Sequence, residues 1–296
     1  MEVCKKLPER SLPELLGFLP RLEKLEITAK LGGKARAVAG LSNEGEIIRF
    51  LESLSQNSPH LACLVLQLGR AFTDACLLAC ITPRLRRLDI SGCASVTDAG
   101  VVGFVSASLP VLTSLRLDST RITGASLLAV AECCPLLQEL SVARCPGLTT
   151  IYTGYLDVVR QCRQLRTFNY QAELSTDDLR PYLSALCHHH EEITEFVLNC
   201  RLEYHALAAE LSGFFTQFCP RLVVLELRCV SGYLPDELLD TIAGACTRLE
   251  RLCLSEGFSR RSIDVKFRRR FVKDLCERNP CLSDLSLLFH RDISAR

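Results

Sequence analysis

One short apolar pattern recurs along the whole chain and limits what the chain can fold into. The pattern is L-x-x-L-x-L, with Ile, Val, Phe or Tyr replacing some leucines. It occurs at Leu22/Leu25/Ile27, Leu61/Leu64/Leu66, Leu85/Leu88/Ile90, Leu112/Leu115/Leu117 and Leu137/Leu140/Val142. It continues at Leu165/Phe168/Tyr170, Ile193/Phe196/Leu198, Leu222/Leu225/Leu227, Leu249/Leu252/Leu254 and Leu282/Leu285/Leu287. Successive first anchors lie 39, 24, 27, 25, 28, 28, 29, 27 and 33 residues apart. Triplets held near one period imply stacked units, because one unit cannot bury its own apolar face and a stack can.

Within a triplet, alternate residues point to opposite sides, so each is read as a short strand with its anchors inward. Helical spacing follows, as in Leu127, Leu128, Val130 and Ala131, or Leu238, Leu239, Ile242 and Ala243. The expected class is therefore α/β, with parallel strands on one face and helices on the other. Thr73-Asp74, Thr97-Asp98, Thr176-Asp177 and Asp236 predict helix N-caps. Pro20, Pro59, Pro83, Pro110, Pro135, Pro220 and Pro280 each precede a first anchor by two residues and predict the helix stops. The long first interval predicts a loop insertion over 29–42.

The third unit reads Leu85-Arg-Arg-Leu-Asp-Ile-Ser-Gly-Cys93-Ala-Ser-Val-Thr-Asp-Ala-Gly100. Cys134, Cys162, Cys219 and Cys246 each stand three residues before a first anchor, and Cys145 repeats the post-strand place of Cys93. These units resemble the cysteine-containing leucine-rich repeat, L-x-x-L-x-L-x-x-C-x-x-(I/V)-T-D-x-G, typical of F-box/leucine-rich-repeat proteins. The pattern departs at Thr120, where a cysteine is expected, and at Cys200 and Cys229, which come one residue early. The resemblance implies a horseshoe-shaped leucine-rich-repeat solenoid of about ten repeats, forming a single domain over 1–296. It further implies that the concave strand face recognises a protein target, as the substrate-binding part of an F-box-type (SCF) ubiquitin-ligase receptor.

The F-box itself finds no room. Leu12-Pro13-Glu14-Leu15-Leu16 and Tyr233-Leu234-Pro235-Asp236-Glu237-Leu238-Leu239 imitate its opening, but both run into repeat strands, at Leu22 and Leu249. A ubiquitin-ligase adaptor is thus an expected partner only through an upstream F-box. The chain reads as the C-terminal portion, or a short isoform, of a longer protein. A rival reading is a stand-alone repeat protein that binds or inhibits a partner without a ligase role.

Composition narrows the remaining classes. The net charge is +1, which gives no support to general nucleic-acid binding. Met1 opens no apolar stretch, and no run approaches the roughly 18 residues of a membrane span. An odd number of cysteines, 17, without a secretion signal points to a reducing compartment and to thiols used as small buried hydrophobes. The expected location is cytoplasmic, with the nucleus as an alternative. Cys187-His188-His189-His190 is ligand-like but has no second cluster, and histidine also suits a helix C-terminus. No metal or cofactor is expected. G-x-S-x-G and H-E-x-x-H motifs are absent, and Gly32-Gly33-Lys34 lacks both the first glycine and the following hydroxyl of a phosphate loop. The chain is expected not to be an enzyme.

The candidate contacts lie between the anchors, on the outward positions. Arg87, Asp89, Arg116, Asp118 and Glu139 form the densest charge, and Asn169, Glu195 and Glu226 extend the set. These residues are either partner contacts or ordinary ion pairs between neighbouring strands. A second cluster is basic: Arg260, Arg261, Lys266, Arg268, Arg269, Arg270 and Lys273, on a helix whose Ile263, Phe267, Phe271 and Leu275 would face inward. That cluster reads as a nuclear-localisation signal, as a contact for nucleic acid, phospholipid or an acidic partner, or as a solvated helix face.

Overall fold

The computed structural model describes residues 20–28, 41–107, 111–148, 152–171, 176–200, 208–229, 236–257 and 265–290. Of the insertion expected over 29–42, only Leu41 and Ser42 fall within them. The chain divides into two compact units, Met1–Cys162 and Arg163–Arg296.

The first unit contains strands β1 (Lys24–Thr28), β2 (Cys63–Gln67), β3 (Arg87–Asp89), β4 (Ser114–Arg116) and β5 (Glu139–Ser141). Its helices are α1 (Glu44–Asn57), α2 (Asp74–Ala79), α3 (Asp98–Ala107), α4 (Gly124–Cys133) and α5 (Tyr152–Gln161). Each strand pairs in parallel with the next, and the central anchors Leu25, Leu64, Leu88, Leu115 and Leu140 stand directly side by side. The second unit repeats this plan. Strands β6 (Thr167–Gln171), β7 (Glu195–Cys200), β8 (Val224–Cys229), β9 (Arg251–Gly257) and β10 (Asp284–His290) alternate with α6 (Thr176–His189), α7 (Ala208–Phe218), α8 (Asp236–Ala245) and α9 (Val265–Arg278). Their pairings are again parallel and sequential. The alternating α/β class expected from the triplets is the one observed.

The anchors make the core. Leu61, Leu64, Leu66, Leu88, Ile90, Leu115, Leu140, Leu225, Leu227 and Leu252 are all buried. The outermost triplets are less covered: Leu22 is half-buried and Leu285 is exposed.

The position three residues before the first anchor is a second buried column. Ser58, Cys134, Cys162, His190, Cys219, Cys246 and Asn279 occupy it and are all buried. It lies where each helix ends: the backbone N–H groups of Ser58, Cys134, Cys162, His190, Cys246 and Asn279 donate back into the preceding helix. Asn279 exploits the place most fully. Its Nδ2 donates to the Cys246 and Leu275 carbonyls at 2.9 Å, and its Oδ1 accepts from Leu249 N at 2.8 Å. His190 belongs to this column, which gives the last residue of the Cys-His-His-His run a packing role.

The cysteines do more than fill space. Cys93 Sγ donates to the Leu66 carbonyl at 3.3 Å, Cys145 Sγ to Leu117 at 3.1 Å, and Cys162 Sγ to Cys134 at 3.4 Å. Each bond ties one repeat to the one before it. Thr120 holds the post-strand cysteine place with its hydroxyl 2.6 Å from the Leu117 carbonyl of its own repeat. Burial pushes the thiols of Cys93, Cys134 and Cys162 up to about 12, so they are not nucleophiles at neutral pH. Cys219 and Cys246 form a disulfide, with Cα atoms 4.3 Å apart.

The Thr-Asp pairs do more than the predicted caps. Thr97 caps α3, its Oγ1 accepting from Ala99 N at 3.3 Å, whereas Thr73 makes no cap bond to the backbone of α2 and its hydroxyl meets Cys76 Sγ at 3.7 Å. The aspartates reach into the following repeat. Asp74 accepts from Thr97 N at 2.8 Å and Thr97 Oγ1 at 2.6 Å. Asp98 treats Thr123 the same way, and Thr123 in turn caps α4 by accepting from Ala125 N. The side chains of Thr176, Asp177 and Asp236 lie outside the described residues.

Gly100 follows from this ladder. A Cβ there would lie 2.9 Å from the Asp74 Cα and 2.3 Å from its Oδ1. Only glycine lets α3 approach α2 this closely. Gly100→Ala gains about 1 kcal/mol of helix propensity. Overpacking against backbone costs about 1–3 kcal/mol. The expected result is a net loss of about 1 kcal/mol, read as a lower urea midpoint; an unchanged or raised midpoint would show that α2 gives way freely.

Candidate functional site

The parallel register brings the candidate residues into rows across the first unit's sheet. One row runs Lys24, Cys63, Arg87, Ser114, Glu139, and the next runs Glu26, Val65, Asp89, Arg116, Ser141. Glu139 is the hub. Its Oε2 accepts from Ser114 Oγ at 2.7 Å and from Arg87 Nη2 at 3.2 Å. Its Oε1 takes the Nε of Arg116 at 2.5 Å and pairs with Arg116 Nη2 as well. Arg87 therefore reaches across a whole strand, over Ser114, to meet a carboxylate two strands away.

Burial raises the Glu139 carboxyl, but the Ser114 hydroxyl and the Arg116 and Arg87 guanidiniums outweigh it and hold the group below its ordinary value. Burial likewise works against the Arg116 charge, and Glu139, Asp89 and Asp118 overcome it, raising the guanidinium.

The other acids are tied inward too. Asp89 accepts from Gln67 Nε2 at 3.3 Å and Ser91 N at 2.9 Å. Asp118 accepts from Ser141 Oγ and Ala143 N, both at 2.7 Å. The result is a set of recessed carboxylates under projecting guanidiniums. The Glu139 side chain is 15% exposed, against 58% for Arg87 and 46% for Arg116.

Two outward positions are thus not surface at all. Ser114 and Ser141 are buried because longer neighbours close over them. They act as donors to Glu139 and Asp118, a role that the outward alternation alone conceals. Cys253, another outward position, is also buried. At the left of the sheet, Lys24 and Glu26 pair at 3.4 Å, and Cys63 and Val65 lie half-buried between them and Arg87.

The second unit places Glu195 on β7 and Glu226 on β8, both half-buried and offset by one row: Glu195 faces Val224 and Val197 faces Glu226. Arg251 pairs with Asp284 at 3.2 Å. Asn169 stands on β6, and its side chain lies outside the described residues.

The basic cluster is only partly visible. Arg260 and Arg261 lie outside the described residues, and so do the side chains of Lys266, Arg268 and Arg269 on α9. Arg270 sits 3.5 Å from Asp274 and 3.9 Å from Asp240, and Lys273 sits 3.8 Å from Glu277. Phe271 and Leu275 are buried, the inward face that the spacing predicts.

Among the described residues, no group of three or more His, Cys, Asp or Glu is placed to hold a metal ion. Among them, too, no helix is long and apolar enough to cross a membrane.

No family model matches the chain. Among solved structures, it is similar to a chain of the yeast Rad7 and Elc1 complex, with a TM-score of 0.54 and 14% identity over 88% of this chain and 71% of that one. It is also similar to the leucine-rich repeat-containing protein LegL7 from Legionella pneumophila, with a TM-score of 0.46 and 12% identity over 97% of this chain and 89% of that one. At such identities the likeness is one of fold. The chain is an alternating α/β protein that shares the fold of the yeast chain, built of parallel strands alternating with helices.

Proposed function

We propose that the chain is a protein-recognition module, and more specifically the substrate-binding repeat domain of an F-box-type ubiquitin-ligase receptor. One observation carries the recognition reading. On the first unit's sheet, Arg87 and Arg116 project beside half-buried Cys63 and Val65 and are held in place by the recessed Glu139. An apolar centre with oriented arginines suits a protein interface, where such residues dominate the binding energy. The arginines have already lost part of their side-chain freedom to Glu139, so less entropy is lost on binding. The proposal includes no catalytic step; the module acts by holding a target in place. The ligase assignment rests on the cysteine-containing repeat subtype, L-x-x-L-x-L-x-x-C-x-x-V-T-D-x-G in the third unit.

Capture from a reducing cell extract tests both levels, comparing the full chain with Arg87→Glu/Arg116→Glu by mass spectrometry of the bound proteins. The expected result is a target retained by the wild type and lost by the double variant, with no ubiquitin-ligase adaptor, because the F-box finds no room among these residues. An adaptor captured by this chain would place an adaptor-binding module within it, and a captured target that carries no ubiquitin would assign a stand-alone binding role. Equal capture by both chains would remove this face from the interface.

A further inference from the structure

From β3 to β5 the first unit's face carries two cations and three carboxylates: Arg87 and Arg116 against Asp89, Asp118 and Glu139. Formal charge would make it weakly acidic. Geometry reverses what an approaching molecule meets. Every one of these carboxylates accepts at least two hydrogen bonds from its own chain. The guanidiniums are the most exposed groups of the network, and each has N–H donors left over after Glu139 is satisfied.

From this arrangement we infer that the partner presents an acidic segment. A carboxylate of that segment docks on the outward edges of Arg87 and Arg116, and an apolar side chain beside it covers Cys63 and Val65. This deepens the recognition reading and rests on it. A carboxylate suits the forked guanidiniums bidentately. A basic segment would meet the projecting cations first. A polyanion such as nucleic acid would run its repeating charge past Asp89 and Asp118, which flank the arginines. An isolated carboxylate between apolar neighbours avoids both penalties.

The test uses the full chain and three fluorescent probes: a synthetic Asp/Val peptide with one Asp between valines in an otherwise Gly/Ser sequence, a matched Lys/Val peptide with Lys in place of that Asp, and a single-stranded oligothymidylate. Binding is followed by anisotropy, with amide exchange mapping the face. The Asp/Val peptide is expected to bind and to protect β2 and β3. Arg87→Gln/Arg116→Gln is expected to weaken it about tenfold or more. Val65→Glu, which leaves both arginines in place, should weaken it as well. Arg270→Gln/Lys273→Gln on α9 should not.

Failure of the Asp/Val peptide to bind, or its unaltered binding to the arginine variant, would overturn the inference. So would preference for either other probe. If the Lys/Val peptide or the oligothymidylate protects β2 and β3, the acidic partner is wrong while recognition by this face stands. If no probe protects these strands and capture from extract is also indifferent to Arg87→Glu/Arg116→Glu, the recognition reading falls with it.

Discussion

Phe214→Ala is expected to cost the second unit about 3–5 kcal/mol, the range for emptying a buried aromatic site. Phe214 is fully buried on α7, with ring centroids 4.4 Å from Phe196 on β7, 5.4 Å from Phe215 and 4.8 Å from Phe218. All four rings are essentially inaccessible to solvent. Truncation removes the apolar transfer energy and leaves a cavity ringed by rigid neighbours. It also removes the aromatic pair terms, about 0.5–1.5 kcal/mol each. A domain is stable by only about 5–15 kcal/mol, so the variant sits near the folding threshold. Phe214→Leu keeps most of the volume and should cost about 1.5 kcal/mol or less. Urea unfolding of the three proteins, followed by far-ultraviolet circular dichroism, reads the difference. Equal losses for the alanine and leucine variants would show that the site collapses around a small residue. Because repeats touch mainly their neighbours, amide protection should fall first in β7, α7 and β8.

The repeat plan was legible because its cause is periodic. Each triplet states its own strand, and Leu64, Leu88, Leu115 and Leu140 fall side by side as that period requires. Phe271 and Leu275 were legible for the same reason, through their spacing on one helix. The site was legible only as a place. Alternation puts Ser114 and Ser141 on the outward side and says nothing of the longer side chains that close over them. Nor does it say which partner wins a given arginine. Arg87 has Asp89 on its own strand, yet it reaches Glu139 two strands away, because the small Ser114 leaves a path. That choice depends on side-chain length and register together. The buried pre-strand column was readable from its four cysteines. His190 and Asn279 share the position without the chemistry, so the subtype pattern passes over them.

The Thr-Asp ladder gives the second large effect. Asp98→Ala is expected to destabilise the first unit by about 3–4 kcal/mol, because one substitution orphans several donors at once. Asp98 Oδ1 accepts from Thr123 N at 2.8 Å, from Ser126 N at 3.2 Å and from Ser126 Oγ; Oδ2 accepts from Thr123 Oγ1 at 2.6 Å. Ser126 is fully buried, so no water replaces the lost acceptor. Asp98→Asn keeps one acceptor oxygen and turns an N–H group toward existing donors. It should lose about half as much as the alanine variant, on the order of 1–2 kcal/mol. The carboxylate also sets a pH signature. Partial burial raises its proton affinity, but the hydroxyls and backbone N–H groups of Ser126 and Thr123 more than compensate, so the folded group is held below its ordinary value. A depressed carboxyl contributes fully above the unfolded pKa of about 3.9 and loses that contribution as pH falls through the lower folded value. The stability gap between wild type and Asp98→Asn is therefore widest near neutrality and narrows on acidification below about pH 4. Urea midpoints of both proteins across that range measure it. A gap that stays constant with pH would mean that Asp98 is held by geometry alone and that its charge contributes nothing to the ladder.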